Sequence, residues 1–135
     1  MSMLLKNLNR QHAELLEMSA KIRQLIEDAD VDWAKLVSTL NIFSGKLLIH
    51  LAAEDNGLYP TLLSAADPLV KATATKFLTE QGGLVDAFTT YRADYQTAAQ
   101  IRNSFPSFRR QTHDLLTQLE KRIRRESKEL YPLLG

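Results

Sequence analysis

Cysteine is absent from the 135 residues of the sequence, and its absence removes several classes of protein at once. Disulfide scaffolds, thiolate zinc sites, cysteine-ligated iron–sulfur clusters and cysteine nucleophiles are all excluded. A chain of this length can bury roughly two thirds of its unfolded surface in one core, so it needs no metal in order to fold. Any metal site must therefore use histidine and carboxylate ligands, and it would serve a function rather than hold the fold together.

Charge of one sign is also lacking, because 17 Lys and Arg oppose 16 Asp and Glu and leave a formal net charge of +1. With no long block of like charge, we expect neither nucleic acid nor a membrane as a partner. The N-terminal residues show no apolar core of a signal peptide, and no run reaches the roughly 18 uncharged apolar residues of a membrane-spanning helix. We therefore expect a cytoplasmic protein.

Glycine and proline are scarce, with 5 and 4 residues, and long segments of helical periodicity dominate the chain. This pattern predicts a single all-α domain over residues 1–135. Four helical segments are expected: about residues 3 to 28, a second from the N-cap Asp32 until Pro60 stops or kinks it, a third after Asp67-Pro68, and a fourth after Phe105-Pro106. Short connections between them predict an up-down-up-down antiparallel four-helix bundle.

Polar residues interrupt the apolar faces of these predicted helices. There are six of them: His12, His50, Glu54, Glu80, Arg122 and Glu126. A charge inside a bundle is costly unless it is paired or binds a metal. His50 and Glu54 are one turn apart, about 40° around the helix, so both side chains project to the same patch. Arg122 and Glu126 repeat this spacing, which is typical of metal sites inside bundles.

The two halves of the chain are internal repeats, related by an offset of 72 residues (122 minus 50). Residues 50–54 (HLAAE) align with residues 122–126 (RIRRE), and the LYP of residues 58–60 aligns with the LYP of residues 130–132. This repeat predicts two similar helix hairpins whose polar positions face each other in the bundle.

These motifs resemble the hemerythrin-like, HHE cation-binding domains. The strings that carry the resemblance are residues 9–12 (NRQH), 50–60 and 122–132, and the resemblance spans essentially the whole chain. It implies a non-haem di-iron centre inside the bundle, used for oxygen binding, oxygen or redox sensing, or iron handling.

The resemblance also implies a role for each matching position. His12 and His50 match the two histidines of one iron, and Glu54 and Glu126 match the two carboxylates that bridge the irons. The three positions that supply histidines to the other iron hold different residues here, namely Glu80, Leu84 and Arg122. One metal therefore keeps its terminal ligands and both bridges, whereas the second metal has lost every histidine.

Arg122 offers a replacement for that second metal, because its permanently charged guanidinium can fork onto Glu54, Glu80 or Glu126. We therefore predict a mononuclear site whose metal ligands are His12, His50, Glu54 and Glu126, with Glu80 and Arg122 as additional site residues. Two histidines with one or two carboxylates suit Fe(II), Zn(II) or Mn(II). The hypothesis favours one iron ion over two.

Two functions remain open at this point. The first is a metal-binding protein that binds or senses oxygen, another small diatomic molecule or iron itself, in oxygen or redox sensing or in iron handling. The second is a metal-free structural or interaction module in which Arg122, the carboxylates and the histidines form a buried network. No nucleophile–base pair or glycine-rich phosphate loop is present, so we do not expect an enzyme.

Three further expectations concern residues beside the predicted site. His113 should face away from it, because it lies about half a turn around the helix from Arg122. Tyr59 and Tyr131 should cap the core with their hydroxyls near water. The leucines that follow the two Tyr-Pro steps would either extend the core or form an apolar homodimer patch; they are Leu62, Leu63, Leu133 and Leu134.

Overall fold

The helices account for most of the computed structural model, which describes residues 2–134. Six α-helices are present: α1 (Met3–Glu27), α2 (Trp33–Ala53), α3 (Tyr59–Leu63), α4 (Pro68–Asp94), α5 (Ala98–Asn103) and α6 (Phe105–Arg125). Two π-helical turns, Glu54–Leu58 and Glu126–Leu130, follow α2 and α6, and a 3₁₀ turn covers Tyr131–Leu134. No strand occurs within residues 2–134.

The four long helices form the predicted antiparallel bundle, and the all-α fold prediction is confirmed. The helix α2, the first π turn and α3 run on as one continuous helix, Trp33–Leu63, which pairs with α1. The helices α4 and α6 form the second hairpin. The short helix α5, which the sequence pattern did not indicate, lies in their connection and packs against α2 and α6.

Side-chain caps and prolines determine where the long helices begin. Asp32 accepts a hydrogen bond from the backbone N–H of Lys35, and Asp67 accepts one from Leu69 ahead of Pro68. Pro60, which we expected to stop or kink the second helix, occupies the first turn of α3 instead, and the helix continues through it to Leu63. The preceding π turn has already changed the hydrogen-bond register there, so the missing N–H of proline interrupts little.

The core consists of two apolar clusters with a polar layer between them. The larger cluster includes Leu15, Leu47 and Ile123, and the smaller one includes Leu8 near the start of α1 and Leu130 after α6. Five of the six predicted polar positions lie in the layer where the clusters meet, namely His12, His50, Glu54, Arg122 and Glu126. This layer is the only part of the described core with a concentration of ionisable side chains.

The leucines after the two Tyr-Pro steps divide between core and surface. Leu62 is buried in the smaller cluster and Leu134 packs against it, whereas Leu63 and Leu133 are each 37% exposed. Of the four leucines, Leu62 and Leu134 therefore extend the core, whereas Leu63 and Leu133 lie at the surface.

One helix is apolar enough to cross a membrane by length and composition alone. It is the continuous helix Trp33–Leu63, with a mean hydropathy of 1.4 over its most apolar window. Its outward face carries exposed Ile42, Leu48 and Ile49, while its inward face carries the buried His50 and Glu54. Core helices of water-soluble proteins pass the same test of length and hydropathy.

Candidate metal centre

Four metal-ligating side chains converge in the polar layer. His12 comes from α1 and His50 from α2, while Glu54 and Glu126 are the first residues of the two π turns. Each of the four residues is at most 3% exposed. One donor atom from each lies within 4.8 Å of the donor atoms of the other three. The structure thus brings together the four residues that the sequence pattern proposed as ligands.

The distances within this cluster are those of close polar contacts. His12 Nε2 lies 3.0 Å from Glu126 Oε1. His50 Nε2 lies 3.4 Å from Glu54 Oε2 and 3.9 Å from Glu126 Oε1. Both imidazoles therefore direct the same nitrogen, Nε2, toward the carboxylates.

The other nitrogen of each imidazole is held by a neighbouring polar side chain. His50 Nδ1 donates to Gln11 Oε1 at 2.8 Å, and His12 Nδ1 lies 3.0 Å from Ser127 Oγ. Such outer hydrogen bonds fix the orientation of a ligating imidazole and select the ring nitrogen that faces the metal. The sequence analysis did not identify Gln11 or Ser127 in this role, although each adjoins a predicted ligand in the sequence.

Burial and mutual charge determine the protonation of the four ligands. Burial lowers the pKa of His12. Burial alone would also lower the pKa of His50, but hydrogen bonds and charges from Glu126 and Glu54 outweigh it and raise that pKa to about 9. Protonated His50 therefore supplies positive charge to the metal-free cluster at neutral pH.

The two carboxylates shift in opposite directions. Burial raises the pKa of Glu54, and the charge of Glu126 adds to this effect. Burial would also raise the pKa of Glu126, but hydrogen bonds from His12 and His50 and the charge of Arg122 lower it to about 2. Glu126 is thus the carboxylate of the pair that stays ionised at neutral pH.

Arg122 lies beside Glu126 with its guanidinium inside the bundle. It is 7% exposed, and its Nε donates to Glu126 Oε2 at 3.0 Å. Its Nη2 donates to the backbone carbonyl of Phe77 at 2.8 Å and to Tyr59 Oη at 3.0 Å. Of the three carboxylates expected as partners, Glu126 is hydrogen-bonded and Glu80 Oε2 lies 3.6 Å from Nη1, whereas no hydrogen bond to Glu54 occurs within residues 2–134.

Glu80 lies at the edge of the bundle rather than in the cluster. Its side chain is 37% exposed, pairs with Arg125 at 2.6 Å and reaches the site through Arg122, at 3.6 Å from its guanidinium. The next residue, Gln81, is buried at 5% exposure, and its Oε1 lies 3.4 Å from Arg122 Nη2. Counting inward positions from Phe77 in a step of four, rather than three, would have identified Gln81.

The two π turns bring a tyrosine onto the face of each glutamate. In each turn the backbone N–H of the tyrosine donates to the carbonyl five residues earlier, from Tyr59 to Glu54 and from Tyr131 to Glu126. In a regular α-helix the fifth residue would lie about 140° around the axis, but the wider π turn returns it near the starting face. Both tyrosines are 2% exposed, so the expectation that their hydroxyls lie near water is wrong.

Tyr131 extends directly into the ligand cluster. Its Oη lies 2.8 Å from His12 Nε2 and 3.4 Å from His50 Nε2, and it donates a hydrogen bond to Glu54 Oε2 at 2.8 Å. Its ring stacks on the imidazole of His12 at 4.7 Å between centroids. Tyr59, at the repeat-related position, instead contacts Arg122 and Gln81.

A small cavity adjoins the cluster inside the bundle. It has a volume of about 50 Å³, and its walls are mainly leucine, phenylalanine and other apolar side chains. Its polar end is formed by His50, Glu54, Gln81, Arg122 and Glu126. Because one water needs only about 10–15 Å³ of such volume, a small uncharged molecule fits there.

Comparison with known protein families agrees with this geometry. The family model described as the hemerythrin HHE cation binding domain matches residues 3–134. The chain belongs to the hemerythrin family. Searches of curated proteins and of solved structures gave no match for this hemerythrin domain.

The residues of the hemerythrin domain fit one metal ion. Glu54 Oε1 is buried without a hydrogen-bond partner among residues 2–134, a costly state that a bound cation would relieve. Metal–ligand bonds of about 2.0–2.2 Å place neighbouring ligands about 3.0–3.4 Å apart. The 3.0 Å and 3.4 Å contacts between the imidazole nitrogens and the carboxylates match these separations.

A second ion does not fit the same way. Where the repeat places the counterparts of His12 and His50, the hemerythrin domain has the apolar Leu84 and the cationic Arg122. A guanidinium cannot ligate a metal, because it has no lone pair to give and remains protonated in proteins. His113, the remaining histidine of the chain, bonds to Glu27 and Arg23 on the surface, away from the cluster.

Proposed function

We propose that this hemerythrin domain binds a single iron ion through His12, His50, Glu54 and Glu126. The observation that carries the proposal is the convergence of these four buried donors beside the guanidinium of Arg122. Two imidazole nitrogens with two carboxylate oxygens are a ligand set that suits Fe(II), with Zn(II) and Mn(II) as chemical competitors.

The charge balance supports one ion rather than two. Arg122 and a divalent ion together compensate both carboxylates, and they leave no excess of negative charge to attract a second cation. The apolar Leu84 further reduces the number of donors on that side of the layer. We therefore assign the charge of the family's second metal to Arg122 in this chain.

The role we propose is sensing or handling of iron, or sensing of oxygen or another diatomic molecule, rather than catalysis. Bound iron would supply one-electron redox chemistry and an affinity for small diatomic molecules. The chain's own residues orient the ligands through Gln11 and Ser127, and the neighbouring apolar cavity gives an uncharged molecule access to the polar layer. Reversible oxygen carriage by the family's two-iron route draws one electron from each iron, so a single iron favours sensing over carriage.

Metal stoichiometry tests this proposal. Protein loaded anaerobically with Fe(II) and freed of excess metal should retain one equivalent of iron by elemental analysis. His50→Ala should abolish retention while the helical circular dichroism signal is unchanged, and His113→Ala, the matched change at a surface histidine, should retain the full equivalent. Two tightly held equivalents would refute the mononuclear site.

A second function, that of a metal-free interaction module, is favoured by the extent of the buried hydrogen-bond network. Tyr131, His12, Glu126 and Arg122 already form a continuous chain of contacts through the bundle core. Zero retained equivalents of iron, zinc and manganese in the parent protein would support this function and refute the metal site.

A further inference from the structure

We propose that Tyr131 is a fifth ligand of the bound metal, coordinating through its phenolate oxygen. This inference rests on the proposed metal-binding function, and it adds a ligand that neither the sequence pattern nor the family resemblance supplied. It predicts that the site stabilises Fe(III), because a phenolate is a hard anionic oxygen donor.

The position of the hydroxyl is the main evidence. Tyr131 Oη lies 2.8 Å from His12 Nε2, 3.4 Å from His50 Nε2 and 2.8 Å from Glu54 Oε2. The four recognised donors are spread more widely, from 3.0 Å between His12 and Glu126 to at most 4.8 Å across the cluster. The oxygen therefore lies as close to three of these donors as the donors lie to one another, which places it within reach of an ion that they bind.

The backbone holds the phenol in this place. Tyr131 is 2% exposed, follows a π turn that directs it to the face of Glu126, and stacks its ring on His12. In the metal-free protein the hydroxyl donates to Glu54 Oε2 and faces the Nε2 atoms of both imidazoles, the atoms that would turn to a metal. Coordination to a metal satisfies all of these groups together.

Ligation changes protonation but transfers no electrons from the tyrosine. The Oη–H bond breaks, the proton that now points to Glu54 leaves to solvent, and the oxygen lone pair forms the bond to the metal. Burial and the charges of Glu54 and Glu126 raise the pKa of Tyr131 in the metal-free protein, so the phenolate needs the charge of the bound ion, and a trivalent ion supplies more of it than a divalent one.

Tyr59 provides a matched control within the same chain. It is the repeat-related tyrosine, equally buried, and it follows the other π turn. Its hydroxyl contacts Arg122 Nη2 at 3.0 Å and Gln81 Oε1 at 3.3 Å, and it makes no hydrogen bond to the four ligands within the described residues.

Spectroscopy of the metal-loaded protein distinguishes the two tyrosines. Protein loaded with one equivalent of Fe(II) is oxidised with one equivalent of ferricyanide and freed of the reagent. We expect a visible phenolate-to-iron charge-transfer band whose resonance Raman spectrum shows tyrosine ring modes. Tyr131→Phe should lose the band while still binding iron, and Tyr59→Phe should keep it.

Zn(II) gives a second readout that requires no variant and no oxidation. Titration of the parent protein with Zn(II) should produce the ultraviolet difference spectrum of one ionised tyrosine per metal bound. This measurement keeps the inference testable if Tyr131→Phe fails to fold.

The outcomes separate the two hypotheses. Four results would each overturn the ligand role of Tyr131. Two concern the parent protein: bound Fe(III) without the charge-transfer band, and bound Zn(II) without the tyrosinate difference spectrum. The other two concern the variants: a band that survives in Tyr131→Phe, and a band that disappears in Tyr59→Phe. The proposed function would survive all four results. A parent protein that retains no metal would instead overturn the proposed function, and the inference with it.

Discussion

Replacing Arg122 by leucine tests the idea that a guanidinium has taken over the charge of a lost metal. The change removes the donors to Glu126 Oε2, to the Phe77 carbonyl and to Tyr59 Oη, all of which are buried. Removing one partner of a buried ion pair typically costs about 3–5 kcal/mol. Because His12 and His50 still contact Glu126, we expect Arg122→Leu to lie near the lower end of this range.

Urea unfolding of the metal-free protein at pH 7 measures the loss of stability in Arg122→Leu. The expected loss is large beside the total free energy of unfolding of a typical domain, about 5–15 kcal/mol. The matched control is Arg125→Leu, whose side chain is 40% exposed and pairs with Glu80 on the surface. It should cost no more than about 1 kcal/mol. Adding Glu126→Gln to Arg122→Leu should cost less than the sum of the single changes, because the second substitution removes the uncompensated charge.

The pH dependence of the loss follows from the pKa of Glu126. That pKa is about 2 in the folded protein against an ordinary 4.5, so the carboxylate stabilises the fold above pH 4.5 and ceases to do so as the pH falls through 2. The difference in the free energy of unfolding between the parent and Arg122→Leu should therefore become smaller as the pH falls from 4.5 to 2. If Arg122→Leu proves as stable as the parent from neutral to acidic pH, the charge-replacement account fails.

Two other predictions concern the histidine positions of the site. The free energy of unfolding of the metal-free protein should fall by at most about 3 kcal/mol as the pH rises from 6.5 to about 9, because folded His50 keeps a proton that the unfolded chain releases. Denaturant titrations should show this slope for the parent and a flatter profile for His50→Gln, and equal slopes would contradict it. Arg122→His should bind a second equivalent of Zn(II) in isothermal titration calorimetry. The binding should be weak, because Leu84 still supplies no ligand. An unchanged stoichiometry would show that the positions of the family's second metal cannot be restored by this histidine.

The bundle and most of the ligand cluster could be predicted because their signals are local. Asp32 and Asp67 mark helix starts, and the four-residue step from His50 to Glu54 places both side chains on one face whatever the tertiary packing. The internal repeat then indicated that Glu126 belongs to the same layer.

The tyrosines and the third-helix register could not be predicted in the same way. A π turn changes the helical period for a single turn and leaves no recognisable spacing in the sequence, so Tyr131 was expected to cap the core with its hydroxyl near water rather than to enter the ligand cluster. On α4 both Glu80 and Gln81 are compatible with an inward stripe, since spacings of three and four both occur in one. The choice between them depends on the partner helix, and Arg122 selects Gln81 by hydrogen-bonding to it.

The π turns also bear on how the two halves of the molecule relate to each other. The second turn precedes Tyr131 in the ligand cluster, yet the first precedes Tyr59, whose hydroxyl contacts Arg122 and Gln81 rather than histidines. The backbone geometry is therefore maintained without a full ligand set, through burial of the leucine and tyrosine that each turn directs inward. For protein engineering, this means that the backbone around the family's second metal position does not depend on its ligands. Exchanging side chains there, without changing the backbone, should therefore suffice to vary that position.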